Sequence, residues 1–248
     1  MTKKKLFTLA IAVCMIAILS FSSLAWFSDD DTVTNKFQLA TSTEDKDDIF
    51  SVDVLEGIDN NGDGDVWDQG DETVGVGNDT PGKTYEDILP GSQLSKRPQA
   101  ENTGAYDQYV RMHVVLSDVS VWADILTQYG LTAEDLWKGT LDTTNWELLT
   151  APVVDSNADT VTYTYYYKSV LETPRTAGSR QLTPKLFSIV EIPNQLTRED
   201  MAKLPTGEFT VDVIAEAVQT QNLGDGVDTA YEAFKVVTPA TTGDLIAP

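Results

Sequence analysis

Cysteine and histidine are nearly absent from this chain: 248 residues hold one of each. A lone cysteine excludes an intramolecular disulfide framework and any thiolate metal cluster. A lone histidine excludes every two-histidine metal site. Positive charge is also scarce, with 17 Lys and Arg against 39 Asp and Glu, a formal net charge of −22 and a pI near 4.1. Such a surface repels phosphate backbones and anionic membranes, so nucleic acid is not an expected partner. Catalytic signatures are missing too. There is no H-E-x-x-H, no G-x-S-x-G and no Gly-rich phosphate loop after a strand. Thirty-nine carboxylates always permit some pair at glycosidase spacing, so their number discriminates nothing. His113 falls on the polar side of a strand pattern, between Arg111 and Val115, where an exposed strand histidine is expected rather than a catalytic one. The sequence therefore reads as a non-enzyme. Apolar residues make up 41% and aromatics 9%, which is enough for a packed core and too much for a disordered acidic tail.

The N-terminus has the composition of a targeting segment. Lys3, Lys4 and Lys5 precede an uncharged run from Leu6 to Ala25, which ends in Ser23-Leu24-Ala25. A basic start, an apolar stretch and small residues at the exit describe a secretory signal over residues 1–25, cleaved between Ala25 and Trp26. The run is also long enough to span a bilayer as a helix, so a retained anchor is the alternative. Cys14 lies mid-run behind Val13, where a lipobox needs a small residue, and reads as an ordinary apolar residue. Cleavage removes three lysines and no acids, shifting the net charge from −22 to −25.

The remaining acidity is uneven, concentrated between residues 29 and 87. Within that block Asp59-Asn60-Asn61-Gly62-Asp63-Gly64-Asp65-Val66 fits D-x-[DN]-x-[DN]-G, the first half of a calcium loop. Oxygens from Asp59, Asn61 and Asp63 converge on one hard cation, Gly64 at position 6 allows the sharp turn, and Asp65 supplies a carbonyl. Position 12 is Gly70 instead of the bidentate Glu, leaving Asp71 or Glu72 to close the loop. No helical pattern flanks it, so a paired EF-hand is not expected. The expectation is a weak, structural calcium site of the extracellular kind, with a solvated acidic hairpin loop as the plain alternative.

Beyond that loop the chain reads as β segments separated by turns. Candidate strands are Ile49–Leu55, Tyr109–Leu116 with Val110, Met112, Val114 and Leu116 on one face, Thr160–Tyr167, Leu186–Ile192 and Phe209–Val218. Gly91–Ala100 is polar and extended, and Pro98 points to an edge or bulge there. Helical spacing is limited to Ser120–Tyr129 with Ser120 as cap, a short helix capped by Thr197 with Asp200 at N3, and Asp228–Phe234. Many strands and few helices predict an antiparallel β-sandwich over residues 41–248, with residues 26–40 as a separate mature N-terminal segment.

Three stretches resemble the TasA/camelysin family of exported surface and biofilm-matrix proteins, which are processed by a SipW-type signal peptidase. The first is Ala25-Trp26-Phe27-Ser28-Asp29-Asp30-Asp31-Thr32-Val33-Thr34-Asn35-Lys36-Phe37, similar to the family's signal-peptide junction. The second runs from Leu89-Pro90-Gly91-Ser92 through Glu101-Asn102-Thr103-Gly104 to Tyr109-Val110-Arg111, and the third is Phe209–Gln219. Trp26 stands where Phe or Tyr is usual, Ala40 where Gly often closes the junction, and the acidic loop is an insertion. The resemblance implies a jelly-roll-like sandwich, a secreted or cell-surface location and a structural role in fibres or matrix, with itself and other matrix components as partners. It also implies assembly by donor-strand addition, in which Trp26, Phe27, Val33 and Phe37 would complete a neighbour's open sheet edge. Folding of that segment back onto its own domain is the alternative. A secreted camelysin-like metalloprotease and a calcium-dependent monomeric adhesin are the competing functions.

Overall fold

A computed structural model of the chain describes residues 28–32, 51–58, 72–76, 85–179, 181–204 and 209–237. Twelve strands are described: β1 (Ser28–Thr32), β2 (Val52–Ile58), β3 (Glu72–Val76), β4 (Gln93–Ser95), β5 (Pro98–Asn102), β6 (Gln108–Ser117), β7 (Trp146–Leu148), β8 (Val153–Asp155), β9 (Thr160–Tyr167), β10 (Gln181–Leu182), β11 (Ile189–Glu191) and β12 (Val211–Gln219). Four short helices accompany them: α1 (Val119–Thr127), α2 (Pro174–Ala177), α3 (Arg198–Met201) and α4 (Ala230–Val237). The fold is mostly β, as the strand spacing predicts. Every described pairing between strands is antiparallel. The larger sheet runs β1-β12-β6-β9-β7, with β8 continuing the β7 side of β9, and a second sheet runs β10-β5-β2-β3.

Alternation along the long strands decides which face is buried. In β6 the inward residues Val110, Met112, Val114 and Leu116 are fully buried. They meet Val213, Ala215 and Ala217 of β12 and Val161, Tyr163 and Tyr165 of β9 in one core cluster. From the facing sheet Val52 and Val54 of β2 and Ala100 of β5 join the same cluster, so the two sheets form the halves of a sandwich. Three tryptophans, Trp122, Trp137 and Trp146, are also buried here. Each such ring removes roughly 200 Å² from water, worth about 5 kcal/mol of transfer free energy before entropy is charged against it. The polar atoms that enter with them are mostly matched. Trp137 Nε1 donates to Tyr165 Oη at 2.9 Å, that hydroxyl donates to Glu134 at 3.1 Å, and Trp146 Nε1 donates to the Pro184 carbonyl at 3.1 Å.

Several local expectations are corrected. Pro98 sits at neither an edge nor a bulge. It opens β5, an interior strand between β2 and β10, and a strand's first residue can do without the missing N–H. Ser120 does not cap α1. Asp118 holds the N-cap position in the left-handed region, and the Asp159 carboxylate accepts from Ser120 N at 2.9 Å and Ser120 Oγ at 2.8 Å. The cap therefore comes from the β8–β9 turn, 39 residues along the chain. At α3 the reading is borne out: Thr197 and Asp200 form a reciprocal capping box. Asp200 is held well below the usual carboxylate range, first by Lys203 and then by Thr197 and Tyr129.

The family-like motif residues are anchors of the fold. Gly91, at φ +85°, takes a turn that an L-residue enters only under strain, and its N–H donates to the Ile192 carbonyl at 2.8 Å. Asn102 is fully buried. Its amide donates to the carbonyls of Tyr106 at 2.8 Å, Glu172 at 3.0 Å and Leu171 at 3.2 Å, while its oxygen accepts from Gly104 N at 2.9 Å. One side chain thus ties the 103–107 turn to the segment entering α2. Asn102→Ala, which strands those buried groups, is expected to cost about 3 kcal/mol, read as a lower urea midpoint at unchanged m-value.

Candidate functional site

The N-terminal edge of the larger sheet is the place where the chain's separate sequence signals meet. β12 is nine residues long and pairs along its whole length with β6. On its other side, among the described residues, Ile214–Val218 are paired, by β1, in the register Ser28↔Val218, Asp30↔Glu216 and Thr32↔Ile214. The five residues of β1 are Ser-Asp-Asp-Asp-Thr, a composition depleted in strands because short polar side chains favour turns. Asp29 and Asp31 stand opposite Ala217 and Ala215, both core residues, and Asp30 stands opposite an acid. Sequence and position conflict at this strand.

Behind that edge, the outer face of the sheet carries a half-buried polar row. Glu216 of β12 is paired with the Arg111 guanidinium of β6 and lies 3.0 Å from His113 Nε2. The other ring nitrogen of His113 is 2.9 Å from Thr164 Oγ1 of β9. His113 is therefore not the exposed strand histidine expected. Both its nitrogens are engaged and its side chain is 16% exposed. Arg111 also packs 4.1 Å over the Phe234 ring of α4, a cation–π contact. α4 lies on the outer face, where Ala230, Ala233 and Phe234 cover Tyr109, Tyr166 and Val218. The row is stapled between strand and helix.

Burial by itself would push the Glu216 carboxyl up. The His113 contact and the Arg111 charge more than offset this and bring it down to about 2. The sequence signal for this row was charged or polar residues at outward positions of two otherwise apolar strands: Arg111 and His113 in β6, Glu216 in β12.

The calcium-like stretch follows β2 in the chain. β2 and β3 form a hairpin whose innermost pair is Ile58↔Glu72. Residues 59–71 connect the two strands in the chain, and the pairing holds Ile58 and Glu72, which border that stretch, opposite each other. Asp59, Asn61, Asp63, Asp65 and Asp71 lie outside the described residues, and Glu72 is described only as the first residue of β3. Ala25, Trp26, Phe27, Val33 and Phe37 also lie outside them, although Ser28–Thr32 between them is β1. Among the described residues no group of three or more His, Cys, Asp or Glu is placed to hold a metal ion. No described helix is long and apolar enough to cross a membrane.

A scan against protein-family models finds no match to this chain, and searches of curated proteins and of solved structures find none either.

The Glu216 row has a measurable signature. A carboxyl held below its unfolded value of about 4.5 contributes stability that is full above that pH and is lost as pH falls toward about 2. Up to about 3 kcal/mol is at stake. Glu216→Gln should remove the contribution at neutral pH and flatten the fall in urea-derived stability between about pH 4.5 and 2. An unchanged acid slope in the variant would show that other carboxylates carry the effect.

Proposed function

We propose that this chain is an exported structural subunit that assembles with copies of itself into surface fibres or matrix, with calcium bound at the 59–72 loop. The observation that supports this most directly is the placement of β1. The segment immediately following the leader lies as an edge strand on the larger sheet, so backbone pairing at β12 already accepts this stretch of sequence. A strand that one copy's sheet edge accepts from its own chain can be accepted from a neighbour's, with main-chain bonds giving affinity and alternate side chains giving register. Trp26, Phe27, Val33 and Phe37 flank the aspartates and are the apolar residues of that segment. Head-to-tail addition of this kind does not close on itself and so propagates as a fibre.

Cleavage between Ala25 and Trp26 by a SipW-type peptidase, a jelly-roll-like wiring of the sandwich and contacts with other matrix components complete this reading through the family resemblance. The polar staples at Asn102 and Glu216 suit it as well, since they stiffen the fold.

Calcium fits the loop by the chemistry of its donors and by the hairpin that carries it. Asp59, Asn61 and Asp63 would supply side-chain oxygens, Asp65 a carbonyl and Asp71 or Glu72 the closing carboxylate, a set of hard oxygens suited to a hard cation. The Ile58↔Glu72 pair brings the first and last of these positions to one end of the hairpin. Bound calcium would neutralise part of the acidic block, so that two strongly negative copies can approach.

Two measurements test the reading. The processed chain should form filaments visible by electron microscopy and pelleted by ultracentrifugation, and deletion of residues 26–40 should abolish them; filaments formed equally well by the truncated chain would sink the donor-strand mechanism. Calorimetric titration should give one calcium site with a Kd of roughly 10⁻⁴–10⁻³ M. Asp59→Asn combined with Asp63→Asn should weaken it at least tenfold, and a heat signal indifferent to those changes would place any calcium elsewhere.

A further inference from the structure

The donor segment and its acceptor edge are both occupied within one chain. β1 covers Ile214–Val218 of its own β12, which is the edge a neighbour's strand would need, and it ties up the segment it would donate. The covering strand is also a poor one. Three consecutive aspartates form its centre, one opposite Glu216 and two opposite the core residues Ala215 and Ala217. Acids directly opposite acids in an antiparallel pair are unfavourable, and aspartate has low strand propensity. Covalent attachment compensates, because a tethered strand meets its edge at an effective concentration in the millimolar range. The result is an edge closed by proximity rather than by good pairing.

We infer that β1 is a built-in plug: the resting chain occludes its own β12 edge, and exchange with a second copy's N-terminal segment requires release of this weak, aspartate-centred strand. The inference rests on the donor-strand reading for its biological consequence, but the plug itself is a property of the single chain and is tested on it.

Thr32 and Ile214 are register partners, Ile214 lying two residues along β12 from Glu216 and opposite His113, and neither substitution removes a member of the Arg111–Glu216 pair. In a full chain carrying Cys14→Ser, in mild detergent, Thr32→Cys with Ile214→Cys leaves one cysteine pair within disulfide reach. The probe is a fluorescein-labelled peptide of residues 26–40, with binding followed by anisotropy. The chain lacking residues 26–40 should bind it most tightly, the reduced double-cysteine chain at least tenfold more weakly, and the oxidised chain not at all, with reduction restoring the middle value. Equal binding by the oxidised and reduced forms would overturn the plug. So would equal binding by the deleted and intact chains, absence of binding by all three, or failure of the disulfide to form, since the register is the premise. A gated capture without filament growth from the processed chain would leave the plug standing and remove the fibre reading. Filaments from the processed chain with ungated capture would do the reverse.

Discussion

An antiparallel sheet leaves unpaired N–H and C=O groups along each outer strand, and the rest of this molecule is organised by how the β12 edge is handled. β12 is long, well packed on its inner face and fully paired to β6, so it is ordered whether or not anything lies on its far side. That makes it a rigid template. The strand laid on it has the wrong composition to belong there permanently. A core-grade edge and a misfit cover are an unusual pairing, since proteins normally protect an edge with charge on the edge strand itself or by shortening it. Here the charge is placed on the cover, which repels stray partners while in place and is easy to displace.

Rigidity behind the edge comes from two sources that differ in kind. Inside the sandwich it is apolar packing: alternate residues of β6, β9 and β12 close on β2 and β5 with large rings filling the ends. Outside it is a polar row, Arg111, Glu216, His113 and Thr164, crossing β12, β6 and β9 at nearly one level and capped by α4. Half-buried charges of this type add little net stability over apolar residues of the same size, because desolvation consumes much of the attraction. Their value lies in register. A one-residue slip of β12 would carry Glu216 to the inner face, leaving Arg111 without its carboxylate, so the row fixes which residues of β12 face the edge strand.

Legibility in the sequence followed the range of the interactions. β9 was readable to the residue, since eight consecutive β-branched or aromatic residues carry high strand propensity throughout. β6 and β12 were readable from their apolar alternation, and the capping box at Thr197 from a spacing of three. The cap of α1 was not, because its acceptor, Asp159, comes from a distant turn and no local pattern points to it. Asn102 was seen only as part of a family-like motif, yet its work is done against carbonyls at 171 and 172, about 70 residues away. His113 was misjudged for the same reason: its strand predicts the face, but the partners that engage it lie on two other strands. The polar row belonged to the sequence only as an alternation, with no way to tell which cation met which acid.

The distribution of acid along the chain acquires its meaning from this topology. A net charge of −22 on a uniform surface would be a solubility device. Instead, the densest acid flanks the two ends of one segment: β1 carries three aspartates on the sheet edge, and the β2–β3 hairpin carries the loop at 59–71. β1 and β2 run close to each other at that side of the sandwich. β1, with its three aspartates, therefore neighbours the strand that leads into the acidic stretch at 59–71. A cation that binds or screens these acids acts in two ways at once, in opposite directions: it eases approach of a neighbour, and it relieves the repulsion that makes β1 easy to displace. Assembly driven by such a cation should then pass through an optimum concentration rather than rise without limit, because the approach of two copies and the release of a strand draw on the same field.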